Sequence, residues 1–226
     1  MWLGALLAVV VLIVLAAVSL AGRSDQSSRG ANGAAPTDPL TVSRLAAIRR
    51  DADDPLALGS VTAPVVVSEW GDFQCPFCQV FATRTAPVLL REYVDSGRVR
   101  LEWHDYAYLG PESVLAARAA RAAGRQGKFW EFHDALYRDQ PAENTGATTE
   151  ASLTAMARTL GLDVSRFTRD YDDPAITAAI DADRRLGAEL GITRVPSFLA
   201  NGRFLFGSQP IGVYQELFDD AAERTR

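Results

Sequence analysis

The sequence predicts an α/β domain with an inserted helical subdomain, and three observations carry that reading. A β-branched run, Val65-Val66-Val67, leads through a tight loop into a helix-periodic stretch, and a second alternating run follows at Val99-Arg100-Leu101-Glu102-Trp103. The pattern is then helical from about Pro111 to Leu190. Strand character returns only at Pro196-Ser197-Phe198-Leu199, beside an Asn201-Gly202 turn signal.

From the amino terminus, Trp2 to Leu20 is apolar apart from Ser19, about nineteen residues against the ~20 that a membrane-crossing helix needs. Residues 1–21 therefore read as a transmembrane anchor, or as a signal segment with small residues Ser19 and Ala21 at a cleavage position. The stretch exceeds the ~7–15 residues of an ordinary signal core, which favours the anchor. Arg23 and Arg29 follow it and no Lys or Arg precedes it, so a count of charges alone leaves the domain in the cytoplasm. A lone pair of closely spaced cysteines suits an oxidising compartment, and the expectation is a single-pass cell-membrane protein with its domain extracytoplasmic. Residues 22–45, which open on Gly, Ser, Asp, Gln and Asn, read as a flexible linker, and 46–226 as the globular domain.

Within the domain, the first strand runs through Glu69 and Trp70 to the loop Gly71-Asp72-Phe73-Gln74 and then Cys75. A helix is expected to start at the cysteines, because Pro76 has no amide hydrogen to leave unpaired in a first turn. Phe77, Val80, Phe81, Val88 and Leu89 continue the apolar pattern, and Pro87 inside it predicts a kink. The second strand follows the turn Asp95-Ser96-Gly97 and alternation sets Val99, Leu101 and Trp103 on one face. Helices are expected at Ser113–Ala123, Phe129–Tyr137, Ala151–Leu160 and Ala175–Leu190, the last capped by Asp173 with Pro174 behind it. A hairpin and a final amphipathic helix, Val213–Ala222, close the chain.

The only two cysteines of the chain are Cys75 and Cys78. A bridge this local closes almost no loop and stabilises little, so chemistry explains the pair better than stapling does. Thiol exchange needs a thiolate, and a helix amino terminus offers free amide hydrogens and a positive dipole end to hold one at Cys75. Cys78, nearly one turn on, is placed to attack a mixed disulfide and release the partner. A zinc site would need two further ligands, and His104 and His133 lie far apart without ligand spacing. Both histidines read as packing or surface residues. No metal or organic cofactor is expected, and a net charge of −5 argues against nucleic acid as a partner.

The stretch Glu69-Trp70-Gly71-Asp72-Phe73-Gln74-Cys75-Pro76-Phe77-Cys78, with Val195-Pro196 late in the chain, resembles the bacterial DsbA-like disulfide oxidoreductases of the thioredoxin superfamily. The resemblance implies a thioredoxin-like fold with the helical insertion at about 111–190. It also implies a cis Pro196 whose neighbourhood, including Val195, pairs with an extended substrate peptide beside the dithiol. Glu69, six residues before Cys75, matches a buried acid beneath the resolving thiol, which would take the proton from Cys78; a water-exposed glutamate at a strand end is the other reading of that position. Where strongly oxidising members carry His, this chain has Phe77, which neither donates a hydrogen bond nor carries charge, so a milder oxidant is expected.

The function so implied is oxidation of cysteine pairs in secreted or envelope proteins, with reoxidation by a quinone-linked membrane oxidase. A reductase or isomerase using the same dithiol, and a non-catalytic binding module on the same scaffold, are the alternatives.

Overall fold

The computed structural model describes residues 39–224. The expected anchor at 1–21, with its apolar stretch 2–20, lies outside the described residues, as does the linker up to residue 38. Among the described residues no helix is long and apolar enough to cross a membrane.

The end of the expected 22–45 linker needs correction, because Pro39–Ala46 forms a helix, α1. Its polar flanks hide the reason, which is tertiary: Ala47 just beyond it is fully buried, and its carbonyl accepts hydrogen bonds from Ser68 Oγ at 2.6 Å and His104 Nε2 at 3.1 Å. A short helix that is marginal alone is held by what its end is tied to.

Five strands form one sheet in the order β1-β3-β2-β4-β5. The central pair, β2 (Val65–Gly71) and β3 (Val99–Asp105), is parallel, with Val65 opposite Val99 and Gly71 opposite Asp105, and every residue of both is buried. The two-residue β1 (Ala57–Leu58) and β4 (Ser197–Ala200) flank them antiparallel, and β5 (Arg203–Phe206) pairs with β4 at the far edge. At the β4–β5 turn Asn201 and Gly202 have φ of 45° and 83°, the two left-handed residues that a tight hairpin requires.

Between β2 and β3 the chain is helical over residues 76–94, here α2. It runs as Pro76–Val80, Phe81–Thr85, Ala86–Leu89 and Leu90–Val94, of which the second and fourth are widened π turns. Pro87 has no N–H to give to the preceding turn, and the irregularity expected there takes the form of this widening rather than a break. With α8 (Ile211–Glu223), α2 covers one side of the sheet, where Phe81, Leu89, Phe198, Tyr214 and Phe218 meet Val65, Val67, Val99 and Leu101.

The insertion supplies the second cluster. It consists of α3 (Pro111–Gly124), α4 (Phe129–Arg138), α5 (Glu150–Thr159), α6 (Val164–Tyr171) and α7 (Pro174–Glu189). Phe129, Phe132, Tyr137, Leu153, Phe167, Ile176 and Ile180 pack there with Trp70 and Trp103. Trp103 therefore joins this cluster, while Val99 and Leu101 of its strand join the other. Asp173 caps α7 as expected, accepting from Ala175 N at 2.8 Å. Helix α6 carries a cap of the same kind, Asp163, and has no counterpart among the helices read from the sequence.

A side chain at Gly71 would run into the indole of Trp103, which stacks on Phe73 with ring centroids 5.0 Å apart. Gly71→Ala is expected to lower unfolding stability by about 1–3 kcal/mol, the range for overpacking a tight core. Urea denaturation checks this, and an unchanged midpoint would show that the indole yields freely.

Candidate active site

Cys75 ends the loop from β2 and stands as the residue before α2, in extended conformation with φ −74° and ψ 120°, with Pro76 as the first helical residue. That placement aims the first amides of the helix at its sulfur. The thiol pKa is lowered to about 7: a hydrogen bond from the Cys78 thiol is the largest cause, and the Cys78 and Phe77 amides add to it. Burial and the Asp72 carboxylate work the other way.

Cys78, one turn deeper and 1% exposed, behaves oppositely. Burial pushes its pKa well above that of an ordinary thiol, and the shared hydrogen bond with Cys75 and the charges of Cys75 and Glu69 push the same way. Both cysteines are free thiols. Two chemically identical groups three residues apart are thus separated into an acidic thiol at the helix start and a deeper partner that holds its proton.

Glu69 lies within β2 and is 3% exposed, so the exposed strand-end reading does not hold. Desolvation pushes its carboxyl up to about 8, and its charge is near enough to act on Cys78. The Val195–Pro196 peptide is cis, and the Cys75 thiol donates to the Val195 carbonyl at 3.6 Å. Pro76 and Phe77 lie beside this contact, with Phe77 63% exposed. A groove of about 360 Å³ opens over Cys75, with Phe77, Tyr108, Leu109, Val195 and Gly207 among its walls. The structure therefore gathers Cys75, Pro76, Phe77 and Val195 at one groove and sets Cys78 and Glu69 beneath.

Several residues that build the site escape a reading of the cysteine motif. The buried carboxylate of Asp72 accepts from Gln74 N at 2.8 Å, Tyr108 N at 2.9 Å and Leu109 N at 3.1 Å, joining the cysteine loop to the groove wall after β3. Its carbonyl accepts from Cys75 N at 3.0 Å and from the Tyr137 hydroxyl at 3.1 Å. Gln140 Nε2, just past α4, donates to Phe73 O at 2.7 Å and Cys75 O at 3.3 Å. A signal existed for Asp72 alone: an aspartate at a strand end bonding the amide two residues on is an Asx turn, readable locally. Nothing local in the sequence foretells Gln140.

His104 and His133 line no part of this groove. His104 stacks on Trp70 with centroids 4.6 Å apart and meets Asp183 at 3.0 Å, while His133 sits among Phe73, Trp103, Trp130 and Tyr137.

Two outcomes follow from these pKa values. Alkylation of reduced protein by iodoacetamide should rise with pH at Cys75, half-maximal at about 7, while Cys78 stays unmodified. A midpoint near 9.0, the ordinary thiol value, would mean that the amides do not hold the anion. For Glu69 the unfolded carboxyl ionises near 4.5 and the folded one near 8, so folding must reprotonate it and stability falls as pH rises between those values. Glu69→Gln is therefore expected to be more stable than the parent at pH 7, by on the order of 3 kcal/mol, and no more stable at pH 4. Equal gains at both pH values would refute a protonated, buried carboxyl.

Comparison with known proteins agrees with this geometry. A family model described as thioredoxin matches residues 51–220. A probable disulfide bond formation protein D from Bacillus cereus is 33% identical over 150 residues, spanning 65% of this chain and 69% of that relative. Among solved structures, a thioredoxin-like oxidoreductase from Silicibacter pomeroyi superposes with a TM-score of 0.67 at 32% identity, covering 78% of this chain and 96% of the other. Oxidised BdbD from Bacillus subtilis gives a TM-score of 0.69 over 76% of this chain and 94% of its own, at 24% identity, which speaks for fold alone. With an acidic thiol at a helix start, a buried second thiol and a cis-proline segment against them, this chain belongs to the thioredoxin superfamily, among its DsbA-like thiol:disulfide oxidoreductases.

Proposed function

We propose that the protein oxidises cysteine pairs in secreted or envelope proteins, with Cys75 as the exchanging thiol and Cys78 as the resolving one. The observation that carries this reading is the split between the two thiols, one lowered to about 7 at a groove and the other raised by burial.

A substrate thiolate attacks Cys75 Sγ of the oxidised protein. The Cys75–Cys78 bond breaks, a mixed disulfide forms, and Cys78 leaves with the electron pair. A buried thiolate is costly, so this sulfur must be protonated as it leaves, and Glu69, protonated at neutral pH by its burial, is the group beneath it that exchanges that proton. The second substrate thiolate then attacks the substrate sulfur of the mixed disulfide and expels Cys75, a good leaving group because it is the acidic thiol. The substrate leaves with a disulfide, and the protein holds the two electrons as a dithiol. Val195 borders the groove where an extended substrate would lie, and Pro196 follows it in the cis peptide.

Phe77 offers the thiolate no hydrogen bond, and a pKa of about 7 lies at the upper end of the ~3.5–7.5 range of reactive thiols, which supports a mild rather than a strong oxidant. Residues 2–20 are read as a membrane anchor that keeps the domain outside the cytoplasm, close to a quinone-linked membrane oxidase that would restore the disulfide.

Cys78→Ser leaves Cys75 without its resolving partner, so it should accumulate mixed disulfides with cysteine-containing envelope proteins, released by reductant. Cys75→Ser should accumulate none. Capture by both variants alike, or by neither, would remove the dithiol mechanism, and equilibration of the parent against a glutathione series reads the direction in which it works.

A further inference from the structure

The groove over Cys75 is largely apolar, yet two full charges stand on its walls: Glu143 from the loop between α4 and α5, and Arg194 from the segment preceding the cis proline. Both side chains are exposed, and neither has an ion-pair or hydrogen-bond partner among the described residues. Other charges of the insertion are paired, as in Arg118 with Asp172 and Arg125 with Asp170 and Asp173.

Their backbones are fixed, not free. On one side of Glu143, Gln140 Nε2 bonds the carbonyls of Phe73 and Cys75 at 2.7 and 3.3 Å. On the other, Asn144 N donates to Gln74 Oε1 at 2.7 Å and Asn144 Nδ2 to Leu109 O at 2.8 Å. Glu143 is thus carried between two residues bolted to the cysteine loop and the groove wall. Arg194 has the same support, since its carbonyl accepts from Ser197 Oγ at 2.6 Å and the next carbonyl, of Val195, accepts from the Cys75 thiol at 3.6 Å. Charges whose attachment points are held in advance contribute to selectivity at little ordering cost.

We infer that Glu143 and Arg194 are specificity-determining residues, and that the groove takes reactive cysteines flanked by a basic residue on one side and an acidic residue on the other. The two charges come from separate segments of the chain and form no ion pair with each other, so an extended peptide held in one direction beside the cis-proline segment satisfies both, while a peptide with its charges exchanged meets like charges. Such rim charges act mainly on encounter and register, and in water each changes a rate only several-fold. This inference rests on the oxidoreductase reading.

The test uses reduced cysteine peptides of identical composition in two orders, Lys-Gly-Cys-Gly-Asp and Asp-Gly-Cys-Gly-Lys, with the oxidised full chain, reading the ratio of their mixed-disulfide formation rates. The expected ratio departs from one by about two- to five-fold. It should invert in the double variant Glu143→Lys, Arg194→Glu, and shrink toward one at 1 M salt, where the screening length is about 3 Å. A ratio of one in the parent, or a preference that survives the double reversal, overturns the inference. Parallel stoichiometric oxidation of dithiothreitol by the oxidised parent separates the two claims: oxidation with a ratio of one sinks only the charge selection, whereas absence of oxidation sinks the oxidoreductase reading and the selection with it.

Discussion

Everything in this protein depends on an unequal treatment of two thiols by one helix start. A thiolate is stable where amides point at it and water reaches it, and unstable where neither holds. Both cysteines are nearly buried, at 4% and 1% exposure, so what separates them is the Phe77 and Cys78 amides that serve the first sulfur and the groove that opens over it. The hydrogen bond between the thiols amplifies the difference, because each proton held at Cys78 is a donor to Cys75. No cofactor is needed to create a gradient of acidity across two sulfurs. Three residues of helix and a buried strand below are sufficient.

Holding that boundary is the work of loops that are far apart in sequence. Asp72 joins the cysteine loop to the wall after β3, and Gln140 and Asn144 join it to the insertion. The insertion is therefore more than a cover on the sheet. Its apolar side seals Trp70, Trp103 and Phe73 against solvent, and the loop leaving α4 returns polar groups to the cysteines. The Asp72 carboxylate also exacts something for its bonding, since its charge opposes the thiolate that its geometry positions. With Phe77 contributing no donor, that opposition is consistent with a thiol near 7 rather than one several units lower.

What could be read from the sequence divides along physical lines. Strands β2 and β3, the hairpin at Asn201-Gly202 and helices α3, α4, α5 and α7 were legible, because each is a β-branched or alternating run, a turn with two left-handed residues, or a periodic apolar stretch, to which α5 and α7 add a side-chain cap. Helix α6 was not: in Val164–Tyr171 only Phe167 and Tyr171 are buried, a single repeat of four that cannot establish a period. Helix α1 and the edge strand β1 owe their form to partners elsewhere, Ala47 to Ser68 and His104, and Ala57 to Glu102. At the site, the cysteines announce themselves by spacing, and Glu69 only through the family resemblance. Gln140, Glu143 and Arg194 do not, because their roles arise only when the insertion and the cis-proline segment converge on one groove.

The same logic bears on Glu69. A carboxyl buried in a central strand with no ion pair is a standing cost at neutral pH, and the buried Glu102 on the neighbouring strand shows what relief looks like. There burial again works to raise the pKa, but the Arg100 guanidinium and the amides of Arg49 and Arg50 outweigh it and the carboxylate stays charged. The two strands of one parallel pair thus contain one acid kept ionised by three donors and one kept neutral by having none. A fold able to build the first arrangement at Glu102 could build it at Glu69, one strand over, and the bare burial there leaves a protonated carboxyl within electrostatic reach of Cys78.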